Sequence, residues 1–434
     1  MKKTILVAAW GACGAALLLA ACGSADGGKA VCAPDGNAGE PAAQAGTGGS
    51  SNQSSAGMGG AGDQSNGMAG AGGAGGGGLP AGSIPALPAG FEPSNLPSDL
   101  DLQVEEDLII NGETCASHAV FDTDNGEIRC YSPGLEQRHP IFSFQIVKQG
   151  DGSELAVFAG KNIVAESTVQ ITVEGQRPLV LIAPGNISLR GSLSAVPDEI
   201  YFSKANAGGF SAPGPKLTKG MGPGGGNALS PQAGGGSYCG LGGNGGGADG
   251  SLGGKAYGSP ELVPLLGGSS GGNAAGDGGA GGGAIQIVAG GDLTVTATGI
   301  IHVGGGNGMW NSNGAGSGGA ILLEGAHVTV LGTLAANGGG GGEGGTFGED
   351  GFRGSADDVP APGGYTGTEA KDDDGGNGSA AAQINGSPGA ALSGGGGGGA
   401  GRIRVNSVSG SAVTTGTFSP ALDTECVTQG KLGG

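Results

Sequence analysis

Residues 320–337, AILLEGAHVTVLGTLAAN, alternate in character: Ile321, Leu323, Val328, Val330, Leu334 and Ala336 fall on one side, with small or polar residues between them. A period of two belongs to extended strands and not to a helix. Breaks at Gly325 and Gly332 divide the stretch into three short strands joined by two tight corners. A strand triplet this small cannot bury its own apolar side, so it needs copies above and below it.

The copies are present. Five rungs align on this pattern, beginning at Leu155, Leu179, Ile285, Ile321 and Ile403, the last one degenerate, and the first two starts lie 24 residues apart. That spacing is about one coil of a parallel β-solenoid. The later intervals are longer because glycine-rich inserts intrude at 207–284, 304–319 and 338–401. Insertions of this kind belong on loops at one corner of a coil. Small residues (Ala183, Ala289, Gly325) recur at the end of the first strand of a rung, where a coil must turn. The expected fold class is therefore all-β, a right-handed parallel β-solenoid (β-helix), with Leu181, Ile287 and Leu323 forming one inward ladder.

Glycine supplies 107 of 434 residues, without the every-third period of collagen. In the inserts this composition has two readings. Runs such as 338–342 and 394–399 have no side chains to pack, and ordering glycine costs entropy, which favours flexible linker. Alternatively, the lack of Cβ lets extended glycine-rich strands pack side by side, backbone bonded to backbone, as polyglycine-II-like helices.

Residues 1–21 read as a secretory signal peptide: Lys2 and Lys3, an apolar run over 5–19, and Leu19-Ala20-Ala21 before Cys22. The last four residues resemble a bacterial lipobox, which implies cleavage before Cys22 and lipidation of its thiol. The Gly23 that follows is similar to the pattern sent on to the outer membrane in Gram-negative bacteria. Residues 22–99 are mostly Gly, Ala, Ser, Asn and Gln with scattered Pro, a composition that reads as a flexible tether, and 100–434 as the folded body. The body opens with Asn111-Gly112 and Asn125-Gly126, each set between alternating apolar runs as in hairpins. Leu108, Ile110, Val120 and Ile128 are the first expected sheet residues.

The formal net charge is -19, which argues against nucleic acid or anionic lipid headgroups as partners, because those contacts are made by clustered Lys and Arg. An exported chain meets an oxidising compartment, so Cys115 and Cys130 are the leading disulfide candidates. Cys239 and Cys426 are a second pair, and Cys32 is left over in the tether. No CxxC pair is present, and neither a cofactor nor a metal site is expected. His302 and His327 fall at outward parity and read as solvated side chains. Residues 122–127, DTDNGE, read as a turn; glycine comes one place too early for a calcium loop and no chelating Glu closes it. The acidic runs 357–358 and 372–374 read as solvated charge. The GxSxG match at 268–272 lacks the strand and helix that flank a nucleophile elbow. Outward residues on the rungs are mostly Ser, Thr, Gln and Ala, with isolated Glu324, Arg190 and Arg402.

The lipobox, the Gly/Ala tether, the rungs PLVLIAPGNISLRGSLSA and AILLEGAHVTVLGTLAANGGGGG, the segment YGSPELVPLLGGSSGG and the final GGGGGGAGRIRV together resemble a group of glycine-rich surface lipoproteins abundant in large-genome social Gram-negative bacteria. The resemblance covers roughly residues 100–434 and implies a surface address, with no catalytic residues to carry over. The expected role is structural or adhesive and non-catalytic, on a chain anchored to a membrane through lipid and facing extracellular polysaccharide or another cell surface. A polysaccharide-active β-helix lyase or hydrolase is the enzyme alternative, and an ice- or surface-binding protein is a third. Trp310, in GGGNGMWNSNG, is the candidate contact residue; the bland alternative is that it anchors its insert to the body.

Overall fold

A computed structural model describes residues 87, 91–98, 100, 104–132, 135–138, 143–198, 203–214, 218–229, 231–247, 251–345, 347–367 and 372–432. The chain is almost wholly β, 1% helical and 31% strand, with mostly parallel sheets that curl into a half-barrel. Among the described residues the strands form an 11-stranded sheet, an 8-stranded sheet and a small two-stranded ribbon.

From Leu179 onward the chain passes back and forth between the two large sheets, and its strands pair in parallel with their counterparts from the previous rung, while Ser143–Lys148 and Glu127–Ser132 add antiparallel pairs near the start of the body. In the first sheet, Leu181 on Leu179–Ala183 pairs with Ile287 on Ala284–Val295, Ile287 with Leu323 on Ala320–Val330, and Leu323 with Val405 on Arg402–Ser407. In the second, Ile171, Leu193, Ile301, Leu334 and Phe418 form an equivalent row. Both rows are buried in one core shared by the two sheets, which also contains Ile321, Val328, Val330 and Ala336. All six inward residues of the 320–337 pattern therefore face that core. The stretch makes two strands, not three: Ala320–Val330 runs through the corner at Gly325 before Thr333–Ala335. Beside that corner the pairing register slips, at Ala289 to Asp292 of the neighbouring strand. Such a slip is the mark of a β-bulge, and pairing resumes beyond it from Asp292 with His327 to Val295 with Val330.

Asn125-Gly126 turns an antiparallel hairpin between His118–Asp122 and Glu127–Ser132, with Gly126 at positive φ. Asn111-Gly112 does not. The Asn111 side chain instead caps a one-turn helix, Gly112–Cys115, accepting from the amides of Glu113 and Thr114 at 3.0 and 2.9 Å. Asparagine serves helix starts as well as turns, and Thr114 completes a capping box.

The first sheet is also covered on its outer side. A second apolar cluster joins its outward residues Val180, Ile182, Val288 and Leu322 to Phe91, Leu262, Leu265 and Tyr238. The tether expected over 22–99 therefore ends earlier, because residues 91–98 lie on the sheet as a strap, with Phe91 buried and Leu96 packed against the same cluster.

The described parts of the inserts are not loose linker. Around residues 394–401 they form a bundle of extended segments bonded backbone to backbone with a period of three. Gly395, Gly398 and Gly401 donate to the carbonyls of Gly342, Gly339 and Ala336, each at 2.8 Å. Gly396 and Gly399 donate to Ala233 and Gly236, and Gly397 and Ala400 to Ser387 and Ile384. The same strand accepts from Gly246, Gly243 and Gly240, from Ala315 and Gly318, and from Gly376 and Ser379. Consecutive residues thus address different neighbours, as a three-residue screw requires. The glycines are essential to this packing: a Cβ on Gly397 would come closer than 3.0 Å to the Asn377 carbonyl oxygen, and one on Gly398 would meet that of Gly316 in the same way.

Candidate functional site: the aromatic end of the glycine bundle

At one end of the bundle, three insert segments are tied together by polar side chains. The amide of Trp310 donates to Asp350 Oδ1 at 2.8 Å, and Asn313 Nδ2 donates back to the Trp310 carbonyl at 2.7 Å. The carboxylate of Glu343, itself buried, accepts from the Glu349 amide at 2.9 Å and from Thr366 Oγ1 at 3.0 Å. Backbone bonds from Gly351 to Gly308 and from Phe352 to Pro362 close the arrangement. Immediately after Trp310, Asn311 and Ser312 both adopt left-handed φ, 66° and 65°. Two such residues in succession make a strained, sharp turn that fixes where the indole emerges.

Trp310 is 43% exposed on this frame, and Phe347, Phe352 and Tyr365 are 90%, 58% and 59% exposed. Large aromatic side chains left this open on ordered backbone have no folding role that burial would supply. The other insert aromatics behave differently. Tyr238 is fully buried, stacks on Tyr257 at 4.6 Å between centroids and lies under the Arg402 guanidinium, and the Tyr257 hydroxyl donates to the Gly267 carbonyl at 2.5 Å. Burial pushes the Tyr238 hydroxyl far above the ordinary phenol range. These two tyrosines anchor their insert to the outer cluster of the first sheet, while Trp310 keeps 43% of its surface exposed.

The remaining sequence-derived candidates fall at separate places. Cys22 lies outside the described residues. Cys115 and Cys130 are joined by a disulfide with Cα atoms 4.3 Å apart, and Cys239 is joined to Cys426 across 187 residues. His327 is exposed, as its parity suggests. His302 is not a freely solvated side chain: it is half-buried, Nε2 lies 2.9 Å from the Gly354 carbonyl, and loss of hydration pushes its pKa down to about 4. Arg190 pairs with Glu166 at 3.1 Å. Asp122 accepts from the amide of Asp124 at 2.9 Å, so 122–127 is a turn. Asp373 accepts from Ser393 Oγ at 2.9 Å. Among the described residues no group of three or more His, Cys, Asp or Glu side chains is placed to hold a metal. Ser269 and Ser270 of the GxSxG match are buried within the bundle.

Glu324 is the largest departure from expectation. Its outward parity is correct, but the strap covers that face and its side chain is completely buried. Ser94 Oγ and the Ser94 amide donate to it at 2.7 and 3.1 Å, Gln286 Nε2 at 2.7 Å and Asn406 Nδ2 at 3.0 Å. Loss of hydration raises its pKa, and the donors from Asn406, Ser94 and Gln286 pull the other way without cancelling it. A signal for this contact exists in the aligned rungs. Glu324 and Asn406 occupy one column, paired strand to strand, that Ile182 and Val288 fill elsewhere with apolar side chains. Polar residues in an otherwise apolar outward column mark a covered face that needs internal partners.

No family model, curated protein or solved structure matches this chain.

Proposed function

We propose that the protein is a lipid-anchored cell-surface protein with a structural or adhesive, non-catalytic role, and that the aromatic end of its glycine bundle makes the adhesive contact. In this reading Cys22 carries the lipid at an outer membrane or cell surface, the segment up to the strap is the tether, and the resemblance to glycine-rich surface lipoproteins gives the address. The body is a right-handed parallel β-solenoid, and its inserts are a polyglycine-II-like bundle. The observation that carries the adhesive role is the exposure of Trp310, Phe347, Phe352 and Tyr365 on a frame tied by the bonds from Trp310 to Asp350, Gly351 to Gly308 and Phe352 to Pro362. Aromatic side chains held on ordered backbone lose little conformational entropy on contact and dominate binding surfaces for that reason.

Two experiments separate address from contact. Detergent partitioning of the full chain and of Cys22→Ser tests the anchor: the wild type is expected in the detergent phase and the variant in the aqueous phase. Adhesion of cells displaying wild type, Trp310→Ala or Phe347→Ala tests the contact. Adhesion should fall severalfold in both variants at unchanged melting temperature. A fall in melting temperature with adhesion intact would instead make Trp310 an anchor and remove the adhesive role from this surface.

A further inference from the structure

Among the described residues, the outer face of the second sheet is not covered as the first is. It floors a groove of about 760 Å³, a volume typical of sites that hold small organic ligands. Its floor is built by register. His118, Gln170, Ser192 and Ile300 lie side by side on four adjacent parallel strands. Two residues further along, Thr172, Ser194 and His302 make a second row. Strands in such a sheet repeat at about 4.8 Å, so both rows are regular ladders crossing the strand direction, polar throughout except at Ile300.

We propose that this groove binds a neutral oligosaccharide, laid across the strands along the two ladders. The side chains match that chemistry. Serine, threonine and glutamine can each donate and accept, as a sugar hydroxyl can, so the floor can pair with hydroxyls in either sense. Because the Gly354 carbonyl can only accept, His302 holds its proton on Nε2, and its Nδ1 is left as an acceptor. His118 is fixed at the other end by Thr172 Oγ1 at 3.0 Å and by stacking on Tyr131. Ile300 on the floor and Val196, Pro197 and Ala356 on the walls supply apolar surface for the C–H faces of a sugar ring. Charge is sparse and of both signs: Asp198, Arg353 and Glu174, the last of which pairs with Arg129. A polyanion would require a cationic floor, and this floor has none.

None of the exposed aromatics of the bundle end lines this groove, although Phe352 directly precedes its wall residue Arg353, and variants at Trp310 and on the groove floor test the two places separately. Calorimetric titration of the chain lacking residues 1–21 would use hexasaccharides of glucose, mannose and N-acetylglucosamine, with hexagalacturonate as the anionic control. At least one neutral hexasaccharide is expected to bind and hexagalacturonate is not. Ser194→Arg should weaken that binding roughly tenfold or more by filling the floor, and Trp310→Ala should leave it unchanged. Ser194 points away from the core, and Gln170→Ala at an exposed position provides a second variant if the arginine impairs folding; it too should weaken binding. Failure of all three neutral hexasaccharides, preference for the anionic one, or binding that survives both groove variants would overturn the proposal. Loss of cell adhesion in Trp310→Ala, or its persistence, bears only on the bundle.

Discussion

Gly397 illustrates what single residues contribute here. Its amide donates to Ser387, its carbonyl accepts from Gly243, and a methyl group on its Cα would press against the carbonyl of Asn377. The obstacle is backbone held by its own hydrogen bonds, which cannot rotate aside as a side chain can. Gly397→Ala is therefore expected to destabilise the protein by about 3 kcal/mol or more, beyond ordinary overpacking of a core; equilibrium urea unfolding measures it. Glu324 makes a different prediction. Its folded pKa is raised above the ordinary carboxylate value, so its contribution is fully present below that ordinary value and is lost as pH rises through the folded pKa. The wild type should lose stability over that interval relative to Glu324→Gln, which has no charge to gain. Equal pH dependence of the two proteins would show that Glu324 ionises without cost. Neither residue's role was apparent from parity alone. Glycine in a run of glycine carries no side-chain pattern, and Glu324 reads as solvated until the strap is known to cover it.

At the scale of elements, the inward face of the rungs was legible and the rest less so. The six inward residues of 320–337 all reached the core because period two leaves no other way to bury them together. Leu323 sits between Ile287 and Val405 in that ladder. Leu323→Asp would bury an unpaired carboxylate and is expected to cost more than about 3 kcal/mol, seen as loss of the cooperative transition in circular dichroism. Asn111-Gly112 departs from the hairpin expectation because asparagine serves both turns and helix starts, and only the geometry at Thr114 tells them apart. The glycine bundle was legible as a possibility from composition, but not its neighbours, since the bonds that pack residues 394–401 run between backbone groups that any sequence of glycines would provide. The pairing of Cys239 with Cys426 ties an insert to the C-terminal strands. Closing so long a loop restricts the unfolded chain, and Cys239→Ser is expected to cost about 2–5 kcal/mol, measured as a shift in urea midpoint under oxidising conditions.

Across the whole molecule, the bundle and the sheets are one continuous piece of chain, which decides how they should unfold. Gly283, Gly319 and Gly401 lead directly into the adjacent first-sheet strands Ala284–Val295, Ala320–Val330 and Arg402–Ser407. The ladder carries across each junction: Ala320 donates to the Gly283 carbonyl and Arg402 to that of Gly319, both at 2.9 Å. On the other side, Gly283, Gly319 and Gly401 donate to Ala195, Val303 and Ala336, just past the ends of second-sheet strands, each at 2.8 Å. Freeing the bundle would strip the ends of both sheets of these bonds, and melting the sheets would remove the register that places the bundle segments. The two should therefore unfold together. The molecule contains convenient reporters for each part: with residues 1–21 absent, Trp310 is the only tryptophan and reports on the bundle tip, while far-ultraviolet circular dichroism is dominated by the sheets. In thermal or urea denaturation of that chain, the fluorescence and dichroism curves should coincide, and Gly397→Ala should move both by the same amount although it touches no sheet residue. Separate transitions, with Trp310 fluorescence changing while the sheet signal holds, would mean that the bundle is a dependent appendage and not part of one cooperative fold.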